Sequence, residues 1–151
     1  MIIFKEITKN NYLDVINLRL ATHQAGFVTD NATSLVEAIY EEGLYTRAIY
    51  NDKTLIGFLL FDYDLEIPGW SLSRFMIDSQ YQYKGFGKEA IKKFLEYIEK
   101  TFFIKELYVS IELNNPIALH LFHSLGFKDI KKITYTFGGE TYHEMQMKIQ
   151  L

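Results

Sequence analysis

Cysteine is absent from the 151 residues. That excludes disulfides, a thiol nucleophile and thiolate metal sites, and no other metal site is expected. Long apolar runs are missing as well; none approaches the roughly 20 residues that a membrane span needs. The N-terminal stretch MIIFKEITKN is charged at Lys5 and lacks a small-residue cleavage site, so no signal peptide is expected. The chain therefore reads as cytoplasmic, without a membrane partner. No basic block accompanies the net charge of −3. This argues against a nucleic-acid surface and leaves room for a cationic partner. Repeats and low-complexity segments are lacking too. Proline occurs only twice, and each instance marks a break: Pro68 in EIPG and Pro116 after Asn115.

What is present is globular. Hydrophobic residues make up 48% of the chain and aromatic residues 16%, enough for one domain with a real core over residues 1–151. Residues 2–8 read as a strand. A helix is expected over 12–21, capped by Asn10 or Asn11, and a second within 29–43, capped by Asn31, Thr33 or Ser34 and ended by Gly43. Strands follow at 45–50, 54–63 and 70–77, the first two joined by an NDK turn. GKEAIKKFLEYIEK reads as a helix whose stripe is Ala90, Ile91, Phe94, Leu95 and Ile98. A strand at 105–112, a short helix from Pro116 to Gly126 and a hairpin around Gly138-Gly139 complete the order.

The stretch YQYKGFGKEA (81–90) carries the chemical signal. Glycines at 85 and 87 open a helix, and a helix N-terminus presents free N–H groups to an anion. A dinucleotide fingerprint needs its first glycine directly after the strand, yet Asp78 to Lys84 intervene. A P-loop needs Ser or Thr after Gly-Lys, yet Glu89 stands there. The remaining pattern, Gln82-x-x-Gly85-x-Gly87, fits either a plain helix entry or a phosphate-wrapping loop with Lys88 in its first turn.

Two linked stretches decide between these. RFMIDSQYQYKGFGKEAIKKFL (74–95) resembles the acetyl-CoA-binding motif of the GNAT-superfamily N-acetyltransferases. LYVSIELNNPIALHLFHSLGF (107–127) resembles that family's second motif. More narrowly, QAGFVTDNATSLVEA, RAIYNDKTLIGFLLFDY and RFMIDSQYQ are similar to bacterial spermine/spermidine acetyltransferases. The resemblance implies an α/β (α+β) fold, a mixed and mostly antiparallel sheet of about seven strands flanked by about four helices. It implies acetyl transfer from acetyl-CoA to a primary amine, with a polyamine as leading acceptor and a homodimer as a common state. Another small amine, a protein N-terminus, or a non-catalytic acetyl-CoA sensor are the alternatives.

By the same resemblance, the strand at Phe75, Met76 and Ile77 pairs with the pantetheine arm. Gln82, Tyr83, Lys84, Gly85, Phe86, Gly87 and Lys88 wrap the pyrophosphate. Asn115 supplies the family amide, and doubles as a helix cap. Two positions depart from the pattern. Tyr83 stands where glycine is usual, which suits a tyrosine only if φ stays negative. Phe122 stands where many relatives place a tyrosine that protonates the leaving thiolate; a phenyl ring cannot. His120 and His123 are nearby in sequence but on other helical faces.

The base is unassigned. The fourth strand carries Ser71, Ser73 and Arg74 but no carboxylate, and Asp78 reads as a turn cap. Candidate acceptor residues are Asp62, Asp64 and Glu66 in the connection before that strand, with Glu37 and Glu41 one helical turn apart on the second helix. A solvated loop accounts for the first three equally well, and a wet helix face accounts better for Glu37 and Glu41. Tyr63, Trp70, Tyr135 and Phe137 are candidates for an alkyl or cationic slot, with edge packing as their plain role.

Overall fold

The structure is a computed structural model and describes residues 1–21 and 29–151. Residues 24–28 of QAGFVTDNATSLVEA lie outside the described residues. The strands are β1 (Ile2–Lys5), β2 (Leu44–Asn51), β3 (Thr54–Asp64), β4 (Gly69–Ile77), β5 (Glu106–Glu112), β6 (Lys128–Phe137) and β7 (Glu140–Gln150). The helices are α1 (Tyr12–Ile16), α2 (Asn31–Tyr40), α3 (Phe86–Phe102) and α4 (Pro116–Ser124).

One seven-stranded sheet runs in the order β1-β2-β3-β4-β5-β7-β6. Every neighbouring pair is antiparallel except β4 and β5. The sheet is covered on both faces. Along β3, Phe58 and Leu60 join Val15 of α1 and Ala48, whereas Leu59 and Phe61 join Ala90, Ile91, Phe94 and Ile98 of α3. Side chains alternate along a strand, so these two clusters lie on opposite faces. That explains why LIGFLLF is apolar without a break: a strand buried on both sides has no wet face to mark with polar residues. Gly57 allows β4 to come close, because a Cβ there would sit 2.4 Å from the Met76 carbonyl oxygen.

Several local expectations need correction: β1 stops at Lys5, and α2 ends at Tyr40 with Glu41 as its C-cap rather than at Gly43. α1 ends at Ile16 instead of reaching residue 21. The backbone N–H of Arg19 donates to the Asp78 carboxylate (2.9 Å), and the N–H of Ser79 donates to the Arg19 carbonyl (2.7 Å). These bonds take the chain out of the helix and tie it to the end of β4. The α2 cap is Asp30, whose carboxylate accepts from the Thr33 N–H at 2.9 Å and from its hydroxyl at 2.8 Å; those bonds hold its pKa below the usual value. Asn11 stands before α1, but its side chain binds the Thr8 N–H and the Glu6 carbonyl, not the helix.

β4 carries an extra residue. Leu60 pairs with Arg74 and Phe61 with Leu72, so Ser73 is left over as a bulge. On its other side β4 meets β5 in register only at Ser71 and Tyr108. Beyond that point the two parallel strands part, and the wedge between them is where the site forms.

Candidate active site

The wedge opens a cavity of about 530 Å³. Its walls are Leu72 to Ile77 of β4, Ser110 to Glu112 of β5, the start of α3 and the inner face of α4. Leu20 and Glu144 complete it. Leu20 arrives there because α1 stops early. Past Ser71 the backbone of β4 keeps its β3 partner but has no registered partner on the cleft side. Among the described residues that edge of β4 borders a groove, the geometry that accepts an extended chain as an added strand.

The loop after β4 is tightly built. The Asp78 carboxylate accepts from the Gln80 N–H (2.9 Å) as well as from Arg19, so it is the expected turn cap. Gln82 is pinned to the strand end by its amide, which donates to the Ile77 carbonyl at 2.8 Å. Gly85 is the N-cap of α3, at φ +85° and ψ 0°. No atom lies within 4 Å of where a Cβ would stand on Gly85, and on Gly87 the nearest is at 3.9 Å. Space is open over both glycines, and the first-turn N–H groups of Phe86, Gly87 and Lys88 have no acceptor within the helix. The arrangement fits a pyrophosphate.

Of the twelve predicted donor-side residues, Phe75, Met76, Ile77, Gln82, Tyr83, Gly85, Gly87, Lys88, Asn115 and Phe122 line the cavity. Lys84 and Phe86 do not. Lys84 places its ammonium 5.9 Å from the Tyr81 ring centroid, and the Phe86 side chain packs into the core. Asn115 caps α4, accepting from the Ala118 N–H at 3.3 Å, while it also faces the cavity.

Tyr83 departs from expectation. Its φ is +61°, not negative. The loop path requires the left-handed conformation that the family's usual glycine adopts at no steric cost, and here a tyrosine adopts it. Phe122 is buried and meets Phe127 edge to face at 5.1 Å. Of the two histidines, His120 lines the cavity, whereas His123 is engaged by Asp129 at 2.7 Å.

None of the five predicted acceptor residues lines the cavity. Glu37 binds the Arg74 guanidinium at 2.6 Å. Glu41 is not on the same helical face, because α2 has ended and Glu41 is extended. Asp62 and Asp64 belong to β3 rather than to a connection. The Asp62 carboxylate accepts from the Ser73 hydroxyl on the bulge. Burial pushes its pKa above the usual value; the charges of Asp64 and Glu41 add to this and the Ser73 bond opposes it. Asp64 in turn accepts from the Glu66 N–H at 2.8 Å. Of the aromatics, Tyr63 meets Trp70 edge to face at 5.7 Å and Tyr135 stacks on Tyr142 at 5.3 Å. They form two separate pairs, not one slot.

Two carboxylates that went unremarked in the sequence line the cavity instead. Glu112 on β5 and Glu144 on β7 are direct register partners. The Tyr135 hydroxyl donates to Glu144 at 3.0 Å. Burial raises the Glu144 pKa, opposed by that bond and reinforced by Glu112. The Tyr135 hydroxyl is pushed up to about 12, first by burial and then by Glu144. Period-two alternation puts Ser110 and Glu112 on one face of β5, a faint signal for Glu112. Glu144 had none without the strand register.

Comparison with known proteins agrees with this geometry. The profile of the family described as "Acetyltransferase (GNAT) family" matches residues 12–127. A spermine/spermidine N(1)-acetyltransferase of Bacillus subtilis (strain 168) is 29% identical over 133 residues, spanning 82% of this chain and 86% of that protein. The crystal structure of spermidine N-acetyltransferase from Vibrio cholerae in complex with CoA and spermine has the same fold, with TM-score 0.76 at 18% identity over 99% of this chain and 95% of that one. So does the ribosomal-protein-S18-alanine N-acetyltransferase of Escherichia coli, with TM-score 0.73 at 16% identity over 99% of this chain and 94% of that one.

Proposed function

Since the chain belongs to the GNAT acetyltransferase family, an N-acetyltransferase family that uses acetyl-CoA, we propose that its acceptor is a primary amine of a polyamine such as spermidine or spermine. The Bacillus subtilis relative is the main support for the acceptor. Acidic groups in and near the cavity add to it. Outside the lining, the charges of Asp64 and Glu41 act on Asp62, which binds the cavity-lining Ser73. Glu112 and Glu144 are in the lining itself. A polycation relieves such repulsion as it binds; each partly exposed contact contributes at most about 1 kcal/mol.

On the donor side, the open edge of β4 at Phe75, Met76 and Ile77 holds the pantetheine arm in this reading. The loop from Gln82 to Lys88 holds the pyrophosphate through main-chain N–H groups, and Asn115 reaches the arm from α4. The observation that carries the reading is the parting of β4 from β5 beside a glycine-opened helix start. The bound thioester supplies an activated acetyl group. The protein's task is to bring a neutral amine nitrogen to it in line, with water held off. Self-association, at least as a dimer, and a cytoplasmic location belong to the same proposal; the first is measured by light scattering.

The decisive experiment incubates the protein with acetyl-CoA and a panel of amines while free thiol is followed. Turnover is expected on spermidine and spermine above other amines. No turnover on any polyamine, with turnover on another amine or an N-terminal peptide, would reject the acceptor class.

A further inference from the structure

Transfer to an alkylamine needs a proton acceptor, because such amines are protonated at neutral pH. Whatever takes the proton must face the cavity. Among the described residues, the titratable side chains that do so are Arg74, Tyr83, Lys88, Glu112, His120 and Glu144. Arg74 and Lys88 are cations. Tyr83 and Lys88 belong to the glycine loop and the start of α3, and His120 lies on α4. The only carboxylates are Glu112 and Glu144, and neither is in an ion pair among the described residues. They are opposite each other across β5 and β7. Tyr135 on β6 donates to Oε2 of Glu144 at 3.0 Å, which fixes that carboxylate and leaves its other oxygen available.

We propose that Glu144, with Glu112 beside it, accepts the proton of the incoming ammonium group through water in the cleft, and that Tyr135 is its positioning residue. The inference rests on the amine acceptor proposed above. The ammonium nitrogen gives one proton to Glu144, which passes it on to solvent. The freed lone pair forms the C–N bond as the C–S bond breaks and sulfur leaves with the electron pair. The second proton lost by nitrogen goes to the thiolate, giving amide and thiol. The charged groups facing Glu144 are Glu112 on β5 and the Tyr135 hydroxyl on β6; Arg74 lies across the wedge on β4. The nearby carboxylate helps Glu144 hold a proton at a pH where a lone exposed glutamate would not.

The test measures kcat/KM against pH for spermidine and for n-butylamine, in the wild-type protein and in Glu144→Gln, Glu112→Gln, Tyr135→Phe and His120→Asn. Glutamine keeps an oxygen for the Tyr135 hydroxyl, so the fold is retained; an unchanged acetyl-CoA Kd checks this. Glu144→Gln should cut kcat/KM about 100-fold at pH 7. The deficit should shrink as pH nears the amine's own pKa, where the neutral amine needs no base. Tyr135→Phe should give a smaller loss with the same pH dependence. The proposal is overturned if Glu144→Gln stays within about threefold of wild type at pH 7, if its deficit is the same at every pH, or if His120→Asn alone abolishes the acidic limb. Turnover of n-butylamine but not spermidine, with the Glu144 dependence intact, would remove the polyamine acceptor and leave the base. Turnover of spermidine that ignores Glu144 would do the reverse.

Discussion

Tyr83→Gly should make the protein more stable than Tyr83→Ala, although alanine is ordinarily the more stabilising residue. Tyr83 has φ +61° and a side chain 78% exposed. Both variants lose the same surface contacts of the phenol, so that loss cancels in the comparison. What differs is the Cβ. In the left-handed region a Cβ costs about 1–2 kcal/mol against the following carbonyl. Against this, glycine gives the unfolded chain extra freedom that costs about 0.5–1 kcal/mol on folding. The balance favours the glycine variant by about 0.5–1 kcal/mol. With an m-value near 2 kcal/mol/M in urea, this is a midpoint about 0.3–0.5 M higher. Equilibrium urea unfolding followed by tryptophan fluorescence measures it, using Trp70. A glycine variant equal to or less stable than the alanine variant would refute the argument, because Tyr83 would then bear no backbone strain. The strained residue lines the cavity, and such conformations cluster at functional sites.

Three further outcomes follow from the same geometry. Gly85→Glu combines a side chain at φ +85° with a negative charge over the first turn of α3; acetyl-CoA affinity should fall at least about 100-fold, since about 3 kcal/mol of charge and steric conflict is at stake, and calorimetry reads it. Phe122→Tyr places a hydroxyl in the cavity beside Phe127; kcat should rise about tenfold, less than general acids usually contribute because a thiolate leaves readily, and an unchanged kcat would mean that leaving-group protonation does not limit the rate. Asp62→Asn concerns a carboxyl whose pKa is raised by burial. Its neutral form is favoured in the fold, so its stabilising contribution is full below the ordinary value and is lost as pH rises through the folded pKa. The asparagine variant should therefore match wild type in thermal stability at pH 3 and exceed it at pH 7, while its KM for spermidine rises.

The glycine-loop side of the cavity was legible because its signals are local. Two glycines spaced around one residue, an amphipathic stripe at Ala90, Ile91, Phe94 and Ile98, and Asn115 before Pro116 are each readable within a few residues. Backbone requirements of that kind must be written where they act. Tyr83 was the exception. Its side chain gives no hint that the loop demands positive φ, and only the path of the chain between Asp78 and α3 reveals it.

The opposite wall of the cavity was not legible, because its residues meet by strand register and by helix ends. The acids conspicuous in sequence proved to be engaged or off the cavity: Glu37 with Arg74 across 2.6 Å, Asp62 with Ser73 on the bulge. Early termination of α1, which brings Leu20 to the cavity, depends on Asp78 reaching Arg19 over 59 residues of chain. From the sequence alone came the order of elements, the apolar strand β3, and the glycine-opened helix start, since each follows from periodicity and backbone freedom within one segment. The tertiary structure alone decided where β4 leaves β5, and that Glu112 and Glu144, 32 positions apart, share one wall of the cavity. The physical reason is pairing: which side chains stand opposite one another in a sheet is set by long-range hydrogen-bond register, and no local run of residues encodes it.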